Sequence, residues 1–172
     1  MKYTRINDEV LYTAERVTHL SENDMRELES LAALNSRKRV RLCTHAAPDS
    51  LLHEMFIVHG KDAYVRPHLH KGRDESFHVL SGVADIVIFD DDGTVSESYR
   101  VGDYASGHPF YCRMPQGTVH MVIIRSDALV FCEATTGPFD PDDAEFPEWA
   151  PEDGAGDVWK YVAEVSQKIE GL

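Results

Sequence analysis

Tyr64 to Gly82, YVRPHLHKGRDESFHVLSG, places three candidate metal ligands, His68, His70 and Glu75, within eight residues. The flanking residues read as strands, and a strand sends alternate side chains to one face, so His68 and His70 are expected to project together while Leu69 turns away. Lys71-Gly72-Arg73-Asp74 reads as a turn. Glu75 opens the next apolar run, ESFHVL, and a hairpin there is expected to bring its carboxylate beside the two rings.

Working outward, the residues from Leu51 to Thr136 form short apolar or alternating runs separated by turn residues, an all-β pattern. Strands are predicted near 51–58, 62–70, 75–80, 83–89, 94–101, 110–114, 119–125 and 128–135. Asp90-Asp91-Asp92-Gly93 is a hairpin turn signal between VADIVIF and TVSESYRV, and it lacks the full spaced ligand loop of a calcium site. Eight strands in this length suit a small barrel or double-sheet jelly roll.

The barrel core is expected at 51–136, preceded by an N-terminal extension, 1–50, and followed by an irregular segment and helix, 137–172. After a short strand at Val10 to Tyr12, SENDMRELESLAALN has Ser21 as a helix N-cap, Asp24 at N3, and Met25, Leu28, Leu31, Ala32 and Asn35 along one stripe. That stripe is expected to lie on the core or on a partner subunit. The basic cluster Arg37, Lys38, Arg39 and Arg41 reads as a solvated edge or an anchor for an anionic substrate. Phe139, Phe146 and Trp149 are expected to pack over the barrel, and Val158, Tyr161, Val162, Val165 and Ile169 mark a closing amphipathic helix.

A single domain of 172 residues with formal charge -13 is unsuited to nucleic acid or an anionic membrane, which repel it at long range. The apolar runs are too short for a membrane span and the N-terminus lacks a signal-peptide core, so a cytoplasmic location is expected. Cys43, Cys112 and Cys132 have no ligand-pair spacing and read as buried, reduced thiols. His53-Glu54 begins like a zinc-protease helix, but Ile57 stands at the required second His.

A second segment, Met114 to Ile124, MPQGTVHMVII, supplies a turn at Pro115 and Gly117 and then His120, a fourth ligand able to converge on the first three. His68-Leu69-His70, four residues, Glu75, six residues, Gly82 resembles the first half of the cupin motif, and Pro115-Gln116-Gly117-Thr118-Val119-His120 the second. The resemblance implies a cupin-type β-barrel with His68, His70, Glu75 and His120 as metal ligands. Asp62, Pro109 and Ile124 depart from the motif's usual Gly, Gly and Asn, which bears on turns and pocket lining more than on the ligands. Over residues 37–152 the chain is similar to the WbuC-like cupin-fold metalloproteins found with bacterial surface-polysaccharide genes.

Three imidazoles and one carboxylate suit a divalent iron, manganese, nickel, zinc or cobalt ion, leaving positions open on an octahedral metal. By strand alternation Tyr64 and Arg66 share the face of the histidines, and Phe77 that of Glu75. These three are the candidate substrate-binding residues, suited to a small anionic or hydroxylated ligand. No catalytic residue is assigned. The resemblance points to a sugar or sugar-nucleotide intermediate of surface-polysaccharide assembly. An Fe(II)-dependent dioxygenase and a non-catalytic metabolite sensor are the alternatives, and a homodimer is expected.

Overall fold

Alternation along the strands sorts the apolar side chains into layers. On β4 (Leu52–Gly60), Met55 and Ile57 enter one cluster while Phe56 and Val58 enter another, and on β11 (Ala128–Thr136) Leu129 and Phe131 part from Val130 in the same way. On β10 (Val119–Ile124), Val122 and Ile124 face the first cluster and Val119, Met121 and Ile123 a third. The first cluster is the space between two sheets, and each of the others lies under a helix.

The computed structural model describes residues 1–171. The remaining elements are β1 (Tyr3–Arg5), β2 (Val10–Thr13), α1 (Glu22–Leu34), β3 (Arg39–Cys43), β5 (Leu69–His70), β6 (Glu75–Ser81), β7 (Val83–Phe89), β8 (Val95–Gly102), β9 (Tyr111–Met114), β12 (Ala144–Glu145) and α2 (Val158–Ile169). A seven-stranded sheet runs β1-β2-β3-β4-β11-β6-β9, a three-stranded sheet β10-β7-β8, and β12 pairs with β5. The fold is an all-β, double-sheet jelly roll with a helix before and a helix after the barrel. Among the described residues no helix is long and apolar enough to cross a membrane.

The helix α1 starts where its capping box places it: the Ser21 backbone N–H donates to Asp24 Oδ2 at 2.7 Å. Leu28 and Ala32 bury its stripe against Leu42, Val58 and Val130 of this chain's own sheet. The β7–β8 hairpin closes at Asp90–Gly93, with Gly93 at φ +86° and the Asp90 N–H donating to Thr94 O at 2.9 Å. All three cysteines are unpaired thiols.

Several expectations are corrected. The strand predicted at 62–70 is reduced to Leu69–His70 plus a lone bridge, His68 to His120. Pro67 has no N–H to donate, and the chain turns at Gly60 to Ala63 before running irregularly. No hairpin joins β5 to β6: β5 pairs with β12, while β6 lies between β11 and β9. The basic cluster agrees with the expected solvated edge, Arg37 and Arg39 pairing with Glu9 and Asp153 at the surface, although Arg39 and Arg41 also belong to the strand β3. Phe139 and Phe146 are about half exposed rather than packed down, whereas Trp149 lies on Phe89 with its Nε1–H donating to Asp91 O at 2.9 Å.

Candidate metal centre

The end of the barrel interior is set by cross-strand register. Glu75 opens β6 opposite Thr135 of β11 and Met114 of β9, and His120 lies on β10 opposite Ile88 of β7. His68 is tied to His120 by two backbone hydrogen bonds, at 3.0 and 2.9 Å, so one imidazole from each half of the motif stands side by side, ring centroids 4.5 Å apart. One ligand atom from each of His68, Glu75 and His120 lies within 4.8 Å of the others. His70 does not fall within that group of three, but its Nε2 is 3.0 Å from Glu75 Oε1.

Each imidazole is held by its other nitrogen. His68 Nδ1–H donates to Arg66 O at 2.8 Å and His120 Nδ1–H to Thr118 O at 3.0 Å. These bonds assign the Nδ1–H tautomer and leave Nε2 with a free lone pair, the arrangement found around ligated histidines. His70 Nδ1 bonds Asp143 Oδ2 at 2.8 Å, and the same carboxylate accepts from Arg73 Nε at 2.9 Å and from the Gly72 backbone at 2.8 Å.

Electrostatics follow from this packing. Burial lowers the pKa of His68 to about 4, helped by His120, and burial also lowers that of His120, so both rings are neutral near pH 7. For His70 burial acts downward, but the carboxylates of Glu75 and Asp143 outweigh it and raise its pKa. Burial opposes the charge of Glu75, yet the His70 bond and the neighbouring imidazoles hold its pKa below the usual range. Glu75 Oε2 is buried, 3.6 Å from His120 Nε2, with no hydrogen-bond partner. An orphaned carboxylate oxygen facing neutral imidazole lone pairs suits a divalent cation, which satisfies all of them at once.

The three predicted lining residues are placed differently from one another. Phe77 is buried 6.2 Å from the His120 ring and 5.7 Å from Phe131, inside the barrel. The Arg66 guanidinium lies 5.0 Å above the Phe146 ring and donates to Ala150 O at 3.1 Å, and Phe146 in turn is 6.0 Å from His68. Tyr64 is not brought to the ligands. It packs with Val87, Met121 and Ile123 on the other face of the small sheet, beside a cavity of about 190 Å³ under α2, and its hydroxyl donates to Pro151 O at 2.9 Å. Strand alternation failed here because residues 64–67 are not strand.

Two residues near the site carry no motif signal. Asp143 lies 73 positions from the His70 it orients. Glu133 alternates with Phe131 and Thr135 on β11 and so points into the barrel between Met55 and Phe77; the one sequence clue is an acid at inward parity in the apolar run ALVFCEAT.

Residues 20–101, just under half of the chain, match a family model described as a domain of unknown function (DUF6016). No curated protein matches. Among solved structures, the capsular polysaccharide assembling protein CapF from Staphylococcus aureus matches with 19% identity over 67% of this chain and 33% of its own, TM-score 0.53. CapF bound to the inhibitor 3-isopropenyl-tropolone matches with 20% identity over 63% and 31%, TM-score 0.50. Oxalate decarboxylase from Bacillus subtilis matches with 19% identity over 63% and 27%, TM-score 0.49. The chain thus spans a third or less of these neighbours. They are cupin-fold proteins, and the fold of this chain is the cupin fold.

Proposed function

We propose, taking the cupin fold as the premise, that this chain holds one divalent transition-metal ion through His68, His70, Glu75 and His120 and binds a small sugar-like metabolite there. The observation that carries the reading is the convergence of His68, Glu75 and His120 ligand atoms within 4.8 Å around a carboxylate oxygen that has no other partner. His70, already in contact with Glu75, is the fourth ligand in this reading. When bound, such an ion polarises a carbonyl or hydroxyl oxygen.

The chain's own residues supply the rest of the site. Phe77 forms an apolar wall beside His120, and Arg66, stacked on Phe146 next to His68, offers a cation for an anionic group at the rim. Tyr64 acts indirectly, fixing Pro151 and thereby the adjacent Ala150 carbonyl to which Arg66 is anchored. The likeness to a capsular polysaccharide assembling protein supports a role in surface-polysaccharide assembly, with a sugar or sugar nucleotide as ligand.

The test is elemental analysis of natively purified protein beside His68→Ala and His120→Ala, followed by a thermal-shift screen with nucleotide sugars. The reading requires metal in the wild type, loss of it in both variants, and a shift with at least one sugar nucleotide. Unchanged metal content in both variants refutes the centre. A shift with another metabolite class alone refutes the sugar assignment.

A further inference from the structure

Below the ligand cluster, cross-strand register places one charged side chain in an otherwise uncharged row of the barrel. Cross-strand register makes Thr135 the partner of Glu75 and Glu133 the partner of Phe77, so Glu133 lies one row deeper than Glu75 on the adjacent strand. Such diagonal neighbours have Cα atoms about 7–8 Å apart. In its row Tyr12, Cys43, Met55, Phe77 and Cys112 succeed one another across the sheet, and Glu133 is the only charged side chain among them.

No side-chain hydrogen bond or ion pair among the described residues satisfies this carboxyl, and burial pushes its pKa up to about 8, with the Glu75 charge adding to the rise. A buried acid without a partner opposes folding, and replacing it with a hydrocarbon would relieve that penalty. Its side chain is nonetheless not sealed off, since it is only partly buried. An unsatisfied polar group at the floor of a binding site is a contact awaiting a ligand.

We infer that Glu133 is the inner polar contact of the site: its carboxyl hydrogen-bonds an oxygen of a small hydroxylated ligand whose other end meets the His68, Glu75 and His120 cluster. This deepens the metal reading above and rests on it. The ligand class follows from the walls. Phe77 and Met55 flank Glu133 on the neighbouring strands and supply no further hydrogen bond, so specificity for a small ligand falls on a hydroxyl or carbonyl group reaching Glu133 from the cluster.

The experiment compares D-glycerate with propanoate, its hydroxyl-free counterpart, by calorimetric titration of Mn(II)-loaded wild type, Glu133→Leu and Glu133→Gln. The wild type is expected to prefer D-glycerate by about tenfold. Glu133→Leu should lose that preference, keep propanoate binding and metal content, and melt at a higher temperature than the wild type; Glu133→Gln, which can still hydrogen-bond, should retain part of the preference. Equal binding of the two probes by the wild type, or an unchanged ratio in Glu133→Leu, overturns the inference. Failure of the wild type to take up metal overturns the metal reading instead, and the same probe pair on the metal-free chain then decides for or against Glu133.

Discussion

Removing the Asp143 carboxylate tests whether His70 is a ligand without touching any proposed ligand. Asp143 accepts from His70 Nδ1 at 2.8 Å, Arg73 Nε at 2.9 Å and the Gly72 N–H at 2.8 Å, so it fixes both the ring's orientation and the turn beneath it. Loss of such an outer partner lowers metal affinity about 10- to 100-fold, equivalent to about 1.4–2.7 kcal/mol. Competition against a colorimetric chelator at fixed pH measures it. Asp143→Ala should bind metal in that weaker range, with a lowered melting temperature because Arg73 loses its carboxylate. Asp143→Asn should fall between, since the amide oxygen can still accept from His70 while the amide nitrogen cannot accept from Gly72. If Asp143→Ala binds metal as tightly as the wild type while His68→Ala does not, His70 is not a ligand held by Asp143.

Leu28 is fully buried between α1 and the large sheet, and Leu28→Ala should cost about 3–5 kcal/mol in urea unfolding through lost contact and residual cavity. His59 faces Phe131 with Nδ1 buried and unbonded, and burial lowers its pKa to about 4. As pH falls below about 6.5 the unfolded chain takes up this proton before the folded one does, so stability declines until about pH 4, and His59→Leu should flatten that part of a stability–pH curve.

Short-range signals were readable where the structure obeys them locally. The Ser21–Asp24 capping box and the Leu28–Ala32 stripe produce α1, and the Asp90–Gly93 turn produces the β7–β8 hairpin, because each depends on residues a few positions apart. The motif spacing drew attention to His68, Glu75 and His120, which the fold gathers, although it does so through a bridge and two sheets rather than the hairpin the spacing suggested. Alternation failed at Tyr64 because it applies only to extended, paired backbone, and Pro67 ends that pairing. Arg39 and Arg41 masked β3, although Val40 and Leu42 alternate with them and are buried under α1. Asp143 was beyond reach for a different reason: its contact with His70 bridges 73 positions, and no local pattern encodes it.

The anchors of His70, Arg66 and Tyr64 are Asp143, Ala150 and Pro151, all beyond the last long strand, β11. During translation the four candidate ligands therefore leave the ribosome well before the groups that aim one of them and fasten the rim. A nascent chain arrested after β11 has the barrel strands but an unaimed His70 and a loose Arg66. An ion offered before residues 137–151 have docked would meet a His70 that lacks its Asp143 partner.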